Sequence, residues 1–170
     1  EPGKVAASPN RGRLVETIEQ LASIGSKPDG SVCRRGFSAE DVQGRELLAS
    51  WMKQLGMQVR VDAAGNLIGR LEGLEPHRPA LVAGSPLATV PTGGRFDGAL
   101  GVLAGLEACR ALQDQGIRMQ HGIELIAFAD EESTMVGCKG LAGTASTDPE
   151  SYATSNGQPI QENLARIGGH

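Results

Sequence analysis

Residues 122–130, GIELIAFAD, constrain this chain more than any other stretch. Only Glu124 and Asp130 interrupt the apolar run, and it is too short to be a long helix. A strand that is apolar on both faces must be covered on both. The chain therefore has to build a sheet and place material on either side of it. Its 170 residues suffice for one such domain and fall short of two ordinary ones.

The remaining segments supply those layers. Leu14, Ile18, Leu21 and Ala22 recur at helical spacing within 11–24, after an N-terminal segment, 1–10, that reads as flexible. A turn-rich loop follows, and Ser38 precedes Glu40 and Asp41 as a helix N-cap. Leu47, Leu48, Trp51, Met52 and Leu55 form the apolar face of that second helix, which stops at Gly56. Residues 57–61 and 66–71 are short apolar segments joined by DAAGN, where Gly65 suits a tight hairpin. A third strand is expected over 79–84, and a long helix over Val102, Leu103, Leu106, Cys109 and Leu112. One more short helix falls in GQPIQENLARIGGH. The order of elements predicts an α/β fold, a three-layer αβα domain with a mixed central sheet over residues 11–170.

Composition narrows the function classes. Sixteen Lys and Arg against twenty Asp and Glu give a formal charge of −4 with no basic block, which argues against nucleic-acid binding. No apolar run approaches the roughly 20 residues that span a bilayer. Glu1-Pro2-Gly3-Lys4 has no signal-like apolar core; without an initiator Met it leaves upstream residues open. Cys33, Cys109 and Cys138 are odd in number and widely spaced, so the expectation is free thiols in the cytoplasm or another reducing compartment.

Sites in such sheets form where strands end at their carboxyl edge, which sets residues 84–98 beside 130–138. Asp97 lies where the glycine-rich loop turns into a helix, and Asp130-Glu131-Glu132 ends the apolar strand. Crowded carboxylates need a cation or protons to offset them. A binuclear zinc hydrolase would use them as bridging ligand, terminal ligand and general base. Taken alone they read first as solvated charges at helix N-termini, since ligand sets without histidine are poor zinc sites. TGGRFDG with Arg95 could instead hold an anion, although the acidic residues would repel it. Gly98, Gly101 and Gly105 do not spell a dinucleotide fingerprint. Cys138 reads as a structural thiol, having no histidine placed to activate it.

GGRFDGALGVLAGLEA and IAFADEE resemble the zinc-dependent amidohydrolases that include N-carbamoyl-L-amino-acid hydrolases, β-ureidopropionase and allantoate amidohydrolase, within the aminoacylase–carboxypeptidase metallohydrolases. The resemblance extends through GCKGLAGTA and the N-terminal segment from LASIGSKPDG to GRLEG. It implies the N-terminal part of that family's catalytic domain, without its lid or dimerisation domain. It implies Asp97 as the metal-bridging carboxylate, Glu132 as a terminal metal ligand and Glu131 as the general base.

The resemblance also exposes two departures. The family spells the preceding strand end Gly-Ser-His-x-Asp, with a metal-binding histidine and an aspartate that orients it. Here the same stretch reads Gly84-Ser85-Pro86-Leu87-Ala88. The family's further ligands come later, past a lid domain, whereas this sequence ends at His170, and His77, His121 and His170 match no ligand position. The expectation is a degenerate, non-catalytic amidohydrolase-like domain with no cofactor. It would act in binding, scaffolding or regulation through a protein partner or self-association, on the side where missing elements would pack. The alternative is a zinc-dependent hydrolase of linear C–N bonds whose missing ligands come from another chain or an unseen segment. A minor third reading is a small-ligand module that kept the old substrate pocket.

Overall fold

A computed structural model describes residues 7–170. Residues 1–6 of the expected flexible segment lie outside the described residues. At its other end Asn10 caps α1 (Arg11–Ala22), its side-chain oxygen accepting the Arg13 N–H at 3.0 Å. Ser38 caps α2 (Ala39–Gln54) through the Asp41 N–H at 3.2 Å, as its place before the acidic pair predicts.

β1 (Gln58–Val61) and β2 (Leu67–Leu71) form an antiparallel hairpin. Gly65 takes φ +81° in its turn, where a side chain would be strained. β3 (Leu81–Pro86) runs parallel to β4 (Ile123–Phe128), joined through α3 (Ala99–Asp114), and β2 pairs antiparallel with β4. The sheet order is β1-β2-β4-β3, a mixed sheet with β4 in its interior.

Leu125 and Ala127 on one face of β4 join the main core with Ile18 and Leu21 of α1, Leu48 and Met52 of α2, and Val102 and Leu106 of α3. Ile126 points to the opposite face and is 2% exposed, so the middle of β4 is covered on both sides. α3 lies close to the sheet because Gly101 and Gly105 carry no Cβ. One on Gly101 would stand 2.7 Å from the Ser85 Cβ, and one on Gly105 2.8 Å from the Leu125 Cδ2. The glycines that fail to spell a dinucleotide site are thus contact positions.

A second apolar cluster lies beyond the carboxyl end of β4. It gathers Phe37, Ala129, Val136, Ile160, Leu164 and Ile167, drawing on α4 (Val136–Leu141) and α5 (Ile160–Arg166). α5 is the expected last helix, whereas α4 has no sequence signal. Met135 starts it with φ +56° and no side-chain cap.

β3 lies two residues later than the expected 79–84. Leu81 donates its N–H to the Gly122 carbonyl at 2.8 Å, so by alternation Ala83 and Ser85 also face β4, while Val82, Gly84 and Pro86 face away. A proline on the open edge costs the sheet no hydrogen bond, which is why the strand runs through Pro86. Leu81 and Val82 on this edge strand are exposed. Among the described residues no helix is long and apolar enough to cross a membrane.

Candidate functional site

The carboxyl ends of β3 and β4 form one rim, as the topology requires. Beyond Pro86 the chain turns inward, burying Leu87, Ala88 and Thr89. A buried arginine fixes this descent. Arg34 donates its Nε to the Leu87 carbonyl at 2.9 Å, and its Nη1 to the carbonyls of Leu21 and Ile24 at 3.1 Å each. Its own N–H donates to Thr89 Oγ1 at 2.9 Å, and the Thr89 N–H returns a bond to the Arg34 carbonyl at 2.8 Å. Gly93 and Val32 exchange two more backbone bonds. The glycine-rich loop is therefore held by the segment after α1, a role for Arg34 that nothing in the sequence signals.

Asp97 stands at the end of that loop. Its Oδ2 accepts the Gly94 N–H at 2.7 Å, closing a turn that leaves the carboxylate exposed. Gly98 follows with φ +69°, and a Cβ there would lie 2.9 Å from both the Pro86 and Ala88 carbonyl oxygens. Only a glycine lets α3 start this close to the strand end, and the contact sets Asp97 beside Pro86 and Ala88. The Ser85 hydroxyl donates to the Gly98 carbonyl and ties the same two segments.

Glu131 and Glu132 occupy the turn that follows β4. Desolvation pushes the Glu132 carboxyl above its ordinary range, and the charges of Glu131 and Asp97 push it further the same way. Glu132 is thus within electrostatic reach of both Glu131 and Asp97. Desolvation and, less strongly, the charge of Glu131 also raise the thiol of Cys138, which disfavours its thiolate.

Other sequence candidates lie elsewhere or are already engaged. Arg95, the cation of the possible anion site, pairs with Glu19 of α1 at 2.6 Å. His121 precedes β4 at the far end of the sheet, with its Nδ1 2.7 Å from the Pro79 carbonyl. His77 sits in the loop before β3, and His170 donates its N–H to Ala63 in the β1–β2 turn. Among the described residues, no three His, Cys, Asp or Glu side chains converge in a geometry that could hold a metal. Pro86 and Ala88 offer no donor atom, and the three carboxylates are an oxygen-only set. That set does not fit a binuclear zinc centre, which is closed by histidine nitrogens.

Comparison with known proteins sets this rim in context. The sequence profile of peptidase family M20/M25/M40 matches residues 75–168. The chain is 38% identical over 161 residues to N-carbamoyl-L-amino acid amidohydrolase of Geobacillus stearothermophilus, a match covering 92% of this chain and 39% of that protein. It is 39% identical over 142 residues to ureidoglycolate hydrolase of Oryza sativa subsp. japonica, covering 84% of this chain and 29% of that one. A hydantoinase/carbamoylase family amidase from Burkholderia vietnamiensis superposes with TM-score 0.91 at 36% identity, over 97% of this chain and 41% of the other. The chain spans 39% or less of the length of these two curated relatives.

Proposed function

We propose, from the premise that this chain belongs to peptidase family M20/M25/M40, that it is a carbamoylase-type domain whose own strand end no longer supports metal-dependent hydrolysis. On this reading it serves as a binding or scaffolding module. One observation carries it: Pro86 ends β3 and Ala88 follows two residues on, both packed by their carbonyls against Gly98, the residue after Asp97, where the resemblance implies a histidine and an aspartate. Neither side chain can bind or orient a metal. Zinc chemistry is what would polarise a ureido carbonyl and activate water in such an enzyme. The residues here contribute carboxylates alone, and Glu131 as a base would have no activated water to deprotonate.

The binding surface on this reading is the open side of β3. Val82 and Gly84 turn their backbone groups away from β4, Leu81 and Val82 are exposed, and LVAGSP carries no charge that would repel an added strand. A partner protein or a second copy of the chain would cover it. Light scattering tests self-association: a dimer that Val82→Lys dissociates supports it. A monomer at all concentrations, together with no partner that Val82→Lys releases, contradicts the binding role.

A second reading has its own support. Glu132 senses the charges of both Glu131 and Asp97 across the rim, and a hydrolase of N-carbamoyl amino acids or ureidoglycolate could use these carboxylates once histidine ligands arrived from another chain or segment. Turnover of those substrates that Glu131→Gln abolishes would favour it over the first.

A further inference from the structure

The turn carrying Glu131 and Glu132 is held in a conformation its sequence does not favour. Asp130 has φ +44° and Met135 φ +56°, both left-handed and neither glycine. Such backbone persists only where its surroundings fix it. The surroundings here centre on the Asp130 side chain, which is 2% exposed. Its Oδ2 accepts the Thr134 N–H at 3.1 Å and the Thr134 hydroxyl at 2.7 Å, bridging the turn from first residue to last. The Asp130 carbonyl accepts the Met135 N–H at 2.9 Å, and Thr134 Oγ1 accepts the Val136 N–H at 3.3 Å. Lys139 Nζ donates to the Thr134 carbonyl at 3.0 Å. On the other side the carboxylate rests against bare backbone, since a Cβ on Gly36 would lie 2.0 Å from Asp130 Oδ1.

We propose that Asp130 is the positioning residue of the acidic rim, the side chain that fixes where the Glu131 and Glu132 carboxylates stand relative to Asp97 and Cys138. Its acceptor oxygen closes the 130–134 turn so that the two intervening glutamates project outward while the aspartate itself stays buried. The proposal rests on the reading of Asp97, Glu131 and Glu132 as the rim's chemical groups, but it holds whether or not that rim takes a metal.

Cys138 supplies the readout. It lies beyond the turn and feels the Glu131 charge, so the thiol reacts faster when that charge is removed or moved away. Iodoacetamide labelling of the whole chain in EDTA, read by site-resolved mass spectrometry, measures this rate. Buried Cys109 serves as the internal control for unfolding. Glu131→Gln is expected to speed Cys138 labelling by roughly two- to fivefold. Asp130→Ala is expected to give the same increase with Cys109 protected, and Asp130→Asn, which keeps the acceptor oxygen, to label at the wild-type rate. Should Asp130→Ala expose Cys109, Thr134→Val is read by the same criteria. A wild-type rate in Asp130→Ala, an alanine-like rate in Asp130→Asn, or no response to Glu131→Gln would overturn the proposal. Because EDTA removes any metal, zinc content judges the functional reading separately from this one.

Discussion

Arg34 Nε donates to the carbonyl of Leu87 at 2.9 Å and so fastens the end of β3 to the C-terminal turn of α1. The guanidinium is 1% exposed and is satisfied by backbone carbonyls, with Asp41 supplying the nearby negative charge. Burial lowers its basicity, and the field of Asp41 acts against that shift. Arg34→Ala would leave the carbonyls of Ile24 and Leu87 without donors, while Leu21 would keep only the Ser23 and Ile24 N–H groups of the helix end. It is expected to cost about 3 kcal/mol in urea unfolding. A loss below about 1 kcal/mol would show that water replaces the arginine without penalty.

Glu107 of α3 anchors the N-terminal side of the fold. It accepts from the Asn10 N–H at 2.7 Å and from Arg13 Nε and Nη2 at 2.8 Å each. These bonds hold the Glu107 carboxyl below its ordinary range, the Arg13 bond contributing most. A lowered folded-state value means the unfolded chain binds the proton first as pH falls. The contribution is therefore full above the ordinary glutamate range and is lost as pH drops through the lower folded value. Glu107→Gln is expected to destabilise by about 2 kcal/mol at pH 7, with the difference vanishing toward acid. Parallel wild-type and variant stability curves across pH would contradict this.

Gly101 keeps α3 against β3. Valine there would drive its Cβ toward the Ser85 Cβ, 2.7 Å from where it would stand. Gly101→Val is expected to lower stability by about 2 kcal/mol or more, despite its better helix propensity. Thermal unfolding at or above the wild-type midpoint would mean that α3 can shift freely.

Much of this architecture was legible in the residues. The apolar 122–130 run places β4 inside the sheet, Gly65 marks the hairpin, and the spacing from Val102 to Leu112 gives α3 its buried face. Tertiary contacts decide the rest. Pro86 lies past the expected strand over 79–84, yet β3 runs through it because its backbone nitrogen turns away from β4, where no donor is needed. Asp130 reads as one more carboxylate, whereas its left-handed backbone follows from Gly36 and Thr134, one of them distant in sequence. Arg34 looks like a surface arginine because no local pattern signals three carbonyls converging on it.

The strand end can be tested by restoring it. The pair Pro86→His and Ala88→Asp would return a nitrogen donor and an orienting carboxylate to positions whose backbone packs against Gly98, the residue after Asp97. Zinc affinity, read by competition with a chromophoric chelator, is expected to rise at least about tenfold over wild type. No change would place the deficit elsewhere than at these two positions.

Whether this rim can assemble a hydrolytic metal centre is read by elemental analysis of the purified protein after equilibration with zinc and gel filtration. Far less than one zinc per chain is expected, with no hydrolysis of N-carbamoyl amino acids or ureidoglycolate. Stoichiometric zinc that survives filtration, with hydrolysis abolished by Glu131→Gln, would contradict it.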